Sequence, residues 1–161
     1  MPRIRNAALP ACFGGAVPQI GTRMHAVSVS PAGEEFPLPT QDEYAVEMER
    51  LEALVQDARG EGKEIVVVMG VGFVGAVMAA IVADTVDGST GEPSKFVIGC
   101  QRPSTRSFWK IPLLNRGLSP VKAEDPEVAP MIERCVNHKK TLTATFNSDC
   151  LSLADCVIVD V

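Results

Sequence analysis

Nineteen consecutive residues, Ile65 to Ala83 (IVVVMGVGFVGAVMAAIVA), carry no charge. A run of this kind has to be buried, in a bilayer or in a core. A bilayer span needs about 20 apolar residues, so the length nearly suffices. The interior of the run argues against a span. Gly70, Gly72 and Gly75 stand in its middle at G-x-G-x-x-G spacing, and no flanking basic cluster or aromatic belt frames it. The other solution is a strand, a turn and a helix. Ile65–Val68 is a β-branched block of the type found in strands buried on both faces. Beyond the glycines, Val74, Val77, Met78, Ile81, Val82 and Thr85 recur at helical spacing and predict one apolar stripe.

Strand, glycine turn and helix is the context in which G-x-G-x-x-G binds a dinucleotide; alone the motif is weak. Each glycine has its own task. Gly70 allows the tight turn, Gly72 lets a pyrophosphate approach the backbone, and Gly75 lets helix and strand pack closely. The amides near Phe73 and Val74 open the helix at the positive end of its dipole, where an anion is favoured. Gly70, Val71, Gly72, Phe73, Val74 and Gly75 are therefore the candidate cofactor-binding residues. The competing reading is a βα turn that binds nothing.

A chain of 161 residues has room for one domain with a sizeable core. Its net charge of −5, without a basic block, argues against a nucleic-acid surface. Scarce aromatics argue against base-stacking platforms. The cysteines, Cys12, Cys100, Cys135, Cys150 and Cys156, form no CxxC and are odd in number, so neither a metal site nor a disulfide framework is expected. Reduced, mostly buried thiols in a cytoplasmic protein are the expectation. His25 and His138 stand far apart and read as surface or loop residues.

Residues 1–39 hold six of the twelve prolines and show no hydrophobic period. They read as an irregular N-terminal arm without a signal-peptide core. Thr40 and Glu43 then form a capping box for a helix whose apolar face is Tyr44, Met48, Leu51, Leu54, Val55 and Ala58, ended by Gly60 and Gly62. After the central strand and helix, Asp87–Pro93 is a loop and Phe96–Cys100 a second strand, set parallel to the first by a right-handed crossover. Ser104–Leu114 reads as partly helical, kinked or ended by Pro112. Asp125-Pro126 opens a helix whose buried face is Val128, Met131, Ile132, Cys135 and Val136. Thr141–Ala144 is a third strand, Ser148–Ala154 a turn or short helix, and Cys156–Val159 a fourth strand. The fold class is α/β: a parallel sheet with helices on both faces, preceded by the arm (1–39) and one extra helix within a domain of residues 40–161.

The tip of the second strand should select the cofactor, because dinucleotide sites place an Asp or Glu there for the adenosine ribose. The tip here reads Gly99-Cys100-Gln101-Arg102. Gln101 can exchange hydrogen bonds with a ribose, and Arg102, Arg106 or Lys110 can face a phosphate. Charge logic thus leaves both NAD and NADP open, with exposed solubilising side chains as the plain alternative for the three basic residues.

Read as a whole, KEIVVVMGVGFVGAVMAAIVAD, FVIGCQRP, LLNRGLSPVKAEDPEVAPMIERCV and LTATFNSDCLSLADCVIVDV resemble the NAD-binding N-terminal domain of the UDP-glucose/GDP-mannose dehydrogenase family. The resemblance spans residues 63–161. It is most specific at Gly70–Gly75, at Asn115 to Glu124, and at Ala154-Asp155-Cys156-Val157-Ile158. It implies a Rossmann-type fold and a pyrophosphate on the glycine turn. Gln101 falls where the family has its ribose-binding Asp, and Arg106 or Lys110 falls near its basic ribose partner. The loop from Asp87 to Lys95 is longer than the family's.

The resemblance further implies oxidation of a sugar C6 alcohol to a carboxylate in two NAD-dependent steps, the second through a cysteine thiol held in the other domain. None of the five cysteines here occupies a matching motif, so no catalytic residue is assigned. The chain is expected to be the cofactor-binding portion of a homo-oligomeric parent that acts on a nucleotide sugar, inactive alone, with an apolar strand edge at Val157–Val161 that promotes self-association. The alternative is a non-catalytic nucleotide-binding or interaction module on the same scaffold.

Overall fold

The computed structural model describes residues 26–160 of the chain. At its centre is a four-stranded, wholly parallel sheet. In chain order the elements are strands β1 (Val27–Val29) and β2 (Glu35–Pro37), helix α1 (Gln41–Gly60), strand β3 (Glu64–Met69), helix α2 (Phe73–Asp84), strand β4 (Lys95–Cys100), helices α3 (Lys110–Asn115) and α4 (Val128–Glu133), and strands β5 (Leu142–Thr145) and β6 (Cys156–Val159). The sheet runs β5-β4-β3-β6. The chain moves outward from β3 to β5, then returns to the other side of β3. This is the strand order of a Rossmann-type half-domain, and the reversal between β3 and β6 is its topological switch point.

Both faces of the sheet are covered. On one, Leu51, Val55 and Ala58 of α1 pack on Ile65, Val67, Phe96 and Ile98. On the other, α2 and α4 close over Val66, Val68, Val97, Leu142 and Ala144. α1 begins as predicted, with a capping box in which Thr40 N and Oγ1 donate to Glu43 Oε2 at 2.6 and 2.8 Å. The link from β5 to β6 holds only a 3₁₀ turn, Ser148–Leu153, so α1 supplies most of the cover on that face.

Three local expectations need correction. The apolar stripe predicted for α2 is only in part its inner side: Val77 and Val82 are half-buried against the core, but the fully buried face is another. That face is Gly75, Ala76, Ala79, Ala80 and Ala83, whereas Val74 and Ile81 are each 52% exposed. Small side chains let the helix lie close to the strands, so size, not hydrophobicity, decides which face turns inward. Pro112 neither ends nor breaks its helix. It stands in the first turn of α3, where a missing N–H removes no helical bond. The arm is not irregular throughout: β1 and β2 form an antiparallel hairpin with Gly33 at φ +85° in its turn. Residues 1–25, with Cys12 and His25, lie outside the described residues.

Candidate functional site

The glycine turn lies at the C-terminal edge of the sheet, at the switch point. Gly70 N donates to Cys100 O at 2.8 Å, and Asp160 N donates to Met69 O at 2.9 Å, so strand pairing persists on both sides up to the turn. Gly70 has φ +93°, and a Cβ there would stand 2.3 Å from Asp160 O. Gly75 is fixed by packing instead: its Cβ would stand 1.8 Å from Gly70 O. A Cβ on Gly72 would meet nothing within 4 Å. Two of the glycines are therefore required by the fold, while the third leaves the mouth of α2 open.

Gly72 is the N-cap of α2. Phe73 is 58% exposed, so the first turn of the helix faces solvent. The leading amides of such a helix have no intrahelical acceptor and carry the positive end of its dipole. No acidic residue stands within the first turn of α2 itself. Val71 is buried, and its N–H donates to Gln101 Oε1 at 3.1 Å. Gln101 thus closes the β4 side of the turn, and part of its acceptor capacity is already used.

The basic candidates separate. Arg102 lines a cavity of about 460 Å³ with Tyr44, Met69, Cys100, Pro103 and Phe146. Lys110 Nζ lies 6.0 Å from the centroid of the Trp109 ring. Arg106 contributes its carbonyl to the Trp109 indole N–H at 2.9 Å. Of the predicted residues, the turn and Gln101 come together, Arg102 borders the adjoining cavity, Lys110 lies over Trp109, and Arg106 meets Trp109 through its backbone carbonyl. Tyr44 and Phe146 were not foreseen as part of this edge. They meet edge-on with centroids 5.1 Å apart. Another cavity, about 490 Å³, lies between the hairpin and α3 and brings no ionisable cluster to the turn.

Two of the sequence stretches that looked most specific have structural tasks. Asn115 Oδ1 accepts from Ala144 N at 2.7 Å and its Nδ2 donates to Ala144 O at 2.9 Å, pairing with the outer edge of β5 as a strand would. Asp155 Oδ2 accepts from Ile65 N at 2.8 Å and Oδ1 from Arg59 Nη2 at 2.9 Å, which pins β3, β6 and α1 together.

The described thiols differ: Cys100 is lowered by its hydrogen bond with Cys150, against the effect of burial. Burial, with the Asp84 carboxylate nearby, pushes Cys135 up to about 11. Cys150 shares a hydrogen bond with Cys100 and is raised by that contact and by burial. Cys156 is exposed, on β6. Among the described residues no group of three or more His, Cys, Asp or Glu could hold a metal ion, and no helix is long and apolar enough to cross a membrane.

The chain is similar to the crystal structure of NDP-N-acetyl-D-galactosaminuronic acid dehydrogenase from Methanosarcina mazei Go1. The two share 33% sequence identity with a TM-score of 0.53, over 69% of this chain and 22% of that one. This chain thus matches only about a fifth of the length of that dehydrogenase. No protein-family model matches the chain, and no curated protein does.

Proposed function

We propose that this chain is the NAD-binding portion of a nucleotide-sugar dehydrogenase whose whole activity is oxidation of a nucleotide sugar at C6 to a carboxylate. The observation that carries this reading is the open mouth of α2 at the switch point, where Gly72 presents bare backbone in front of a helix N-terminus. The likeness to a dehydrogenase at 33% identity supports it.

In this reading the amides of Phe73, Val74 and Gly75 hold the diphosphate, and Gly70 keeps the turn tight enough to aim them. Val71, fixed by Gln101, holds the turn in register. Gln101 and Arg102 face the adenosine end, which extends over β4 toward the cavity beside Tyr44 and Phe146. The bound nicotinamide would accept the hydride; the residues of this chain bind and orient it. Of the four described thiols three are buried and the fourth, Cys156, stands exposed on β6, so in this reading the nucleophile for the second oxidation belongs to another part of the parent.

Calorimetric titration of the chain with NAD, NADP and ADP tests the reading. NAD should bind, and Gly72→Asp should weaken it by at least about tenfold while leaving the melting temperature nearly unchanged, because the new side chain meets no protein atom and sets an anion against the diphosphate. Equal NAD affinity in the variant would disprove the placement. Adding UDP-glucose and NAD should give no NADH.

Gln101, in place of an acid, favours a second reading: a nucleotide-binding module without catalysis. It predicts that ADP and NAD bind equally and that the whole parent reduces no NAD.

A further inference from the structure

The glycine turn is bracketed by two side chains from opposite strands. On the β4 side stands Gln101, its Oε1 already accepting from Val71 N–H. On the β6 side stands Asp160. Its carbonyl packs against Gly70, and its Oδ2 lies 3.0 Å from the place a Cβ on Gly75 would take, beside the first turn of α2. The carboxylate is only half-buried, and it has no hydrogen-bond or ion-pair partner among the described residues.

A dinucleotide laid across a switch point puts one nucleoside on each side of the central strand. Each ribose offers vicinal hydroxyls, and a carboxylate is the acceptor-only group that takes both protons. At the β4 tip that group is absent: Gln101 has one carbonyl oxygen, and one of its two lone pairs already takes the Val71 N–H of the turn. The carboxylate of this cradle stands on the opposite side, at β6.

We propose that Asp160 is a cofactor-contacting residue that accepts hydrogen bonds from the ribose hydroxyls of the nicotinamide nucleoside, so that recognition of the dinucleotide rests on its nicotinamide half. This rests on the dinucleotide reading given above. It also accounts for an anion tolerated close to a diphosphate site: the ribose hydroxyls come between the two.

The test compares Asp160→Asn with the wild-type chain in calorimetric titrations with NAD and with ADP, which has the diphosphate but no second nucleoside. Asn keeps the shape of the side chain, and equal melting curves confirm that the fold is intact. Asp160→Asn should weaken NAD about tenfold, toward the affinity of ADP, and leave ADP unchanged. If Asp160 merely repels the diphosphate, both nucleotides bind the variant more tightly, and the assignment is overturned. Unchanged NAD affinity overturns it equally. If the wild-type chain takes up neither nucleotide, the dinucleotide reading itself fails, and the assignment with it.

Discussion

Gly70 and Gly75 are held to glycine by different neighbours, and neither neighbour can yield. At Gly70 the obstacle is the backbone carbonyl of Asp160, just past β6, together with a positive φ; at Gly75 it is the carbonyl of Gly70. Either Gly→Ala change should lower stability by about 3 kcal/mol or more, through backbone strain and overpacking. Gly72→Ala should stay within about 0.5 kcal/mol of the wild type. Chemical denaturation of the three variants checks this, and equal costs at all three would contradict the geometry of the turn.

Asp84, at the end of α2, offers a pH test at the same scale. Its carboxylate accepts from Arg134 Nε at 3.0 Å and Nη2 at 2.8 Å, and from Lys139 Nζ at 2.8 Å. The Arg134 hydrogen bond, aided by Lys139, holds its carboxyl far below the ordinary value of 3.8, against an opposing effect of burial. A pKa depressed by folding stabilises above the unfolded value and ceases to do so as pH falls through the folded one. Asp84→Asn should therefore cost about 2 kcal/mol near neutral pH, and the gap to wild type should close as pH falls below about 4. Urea melts across that range read it directly; a gap that widens in acid would reverse the assignment.

Among elements, α2 makes the sharpest prediction because two members of its apolar stripe, Val74 and Ile81, are on its outer side. Ala80 is fully buried against the sheet and Ile81, next to it, is half-exposed. Ala80→Leu should destabilise by about 1–3 kcal/mol, whereas Ile81→Ala should be nearly neutral. The opposite ranking would follow from the apolar stripe in the sequence. That contrast shows where the sequence stops being legible. β3, the glycine turn and the limits of α2 could be read from a β-branched block, a glycine spacing and a helical period. The facing of α2 could not, because alanine and valine score alike as apolar while the fully buried positions are glycine and alanine. The β1–β2 hairpin was hidden because each strand has three residues and buries one, too few for an alternation to stand out among prolines. At the site, the residues contiguous in sequence were legible. Asp160 and Phe146 were not, since only the return of the chain to β3 and the closure of α1 bring them to the edge.

At the scale of the molecule, the two edges of the sheet differ. The outer edge of β5 is covered: Asn115 pairs with both backbone groups of Ala144, and Arg50 Nη2 adds a bond to the same carbonyl at 3.2 Å. The outer edge of β6 has no such cover among the described residues. Val157 and Val159 are 45% and 64% exposed on it. An open strand edge with β-branched side chains is a template for pairing with another strand. Two copies of the chain related by a twofold axis can pair β6 with β6 antiparallel, which satisfies both edges at once. Sedimentation velocity should show concentration-dependent self-association of the wild type. Val159→Lys should suppress it, since a charge on an exposed edge strand opposes pairing without disturbing the core. Asn115→Ala, which uncovers the other edge, should strengthen association while costing about 1–3 kcal/mol of stability for the unpaired backbone groups. A wild type that stays monomeric at high concentration, or a Val159→Lys chain that associates as strongly as its parent, would place the contact elsewhere than β6.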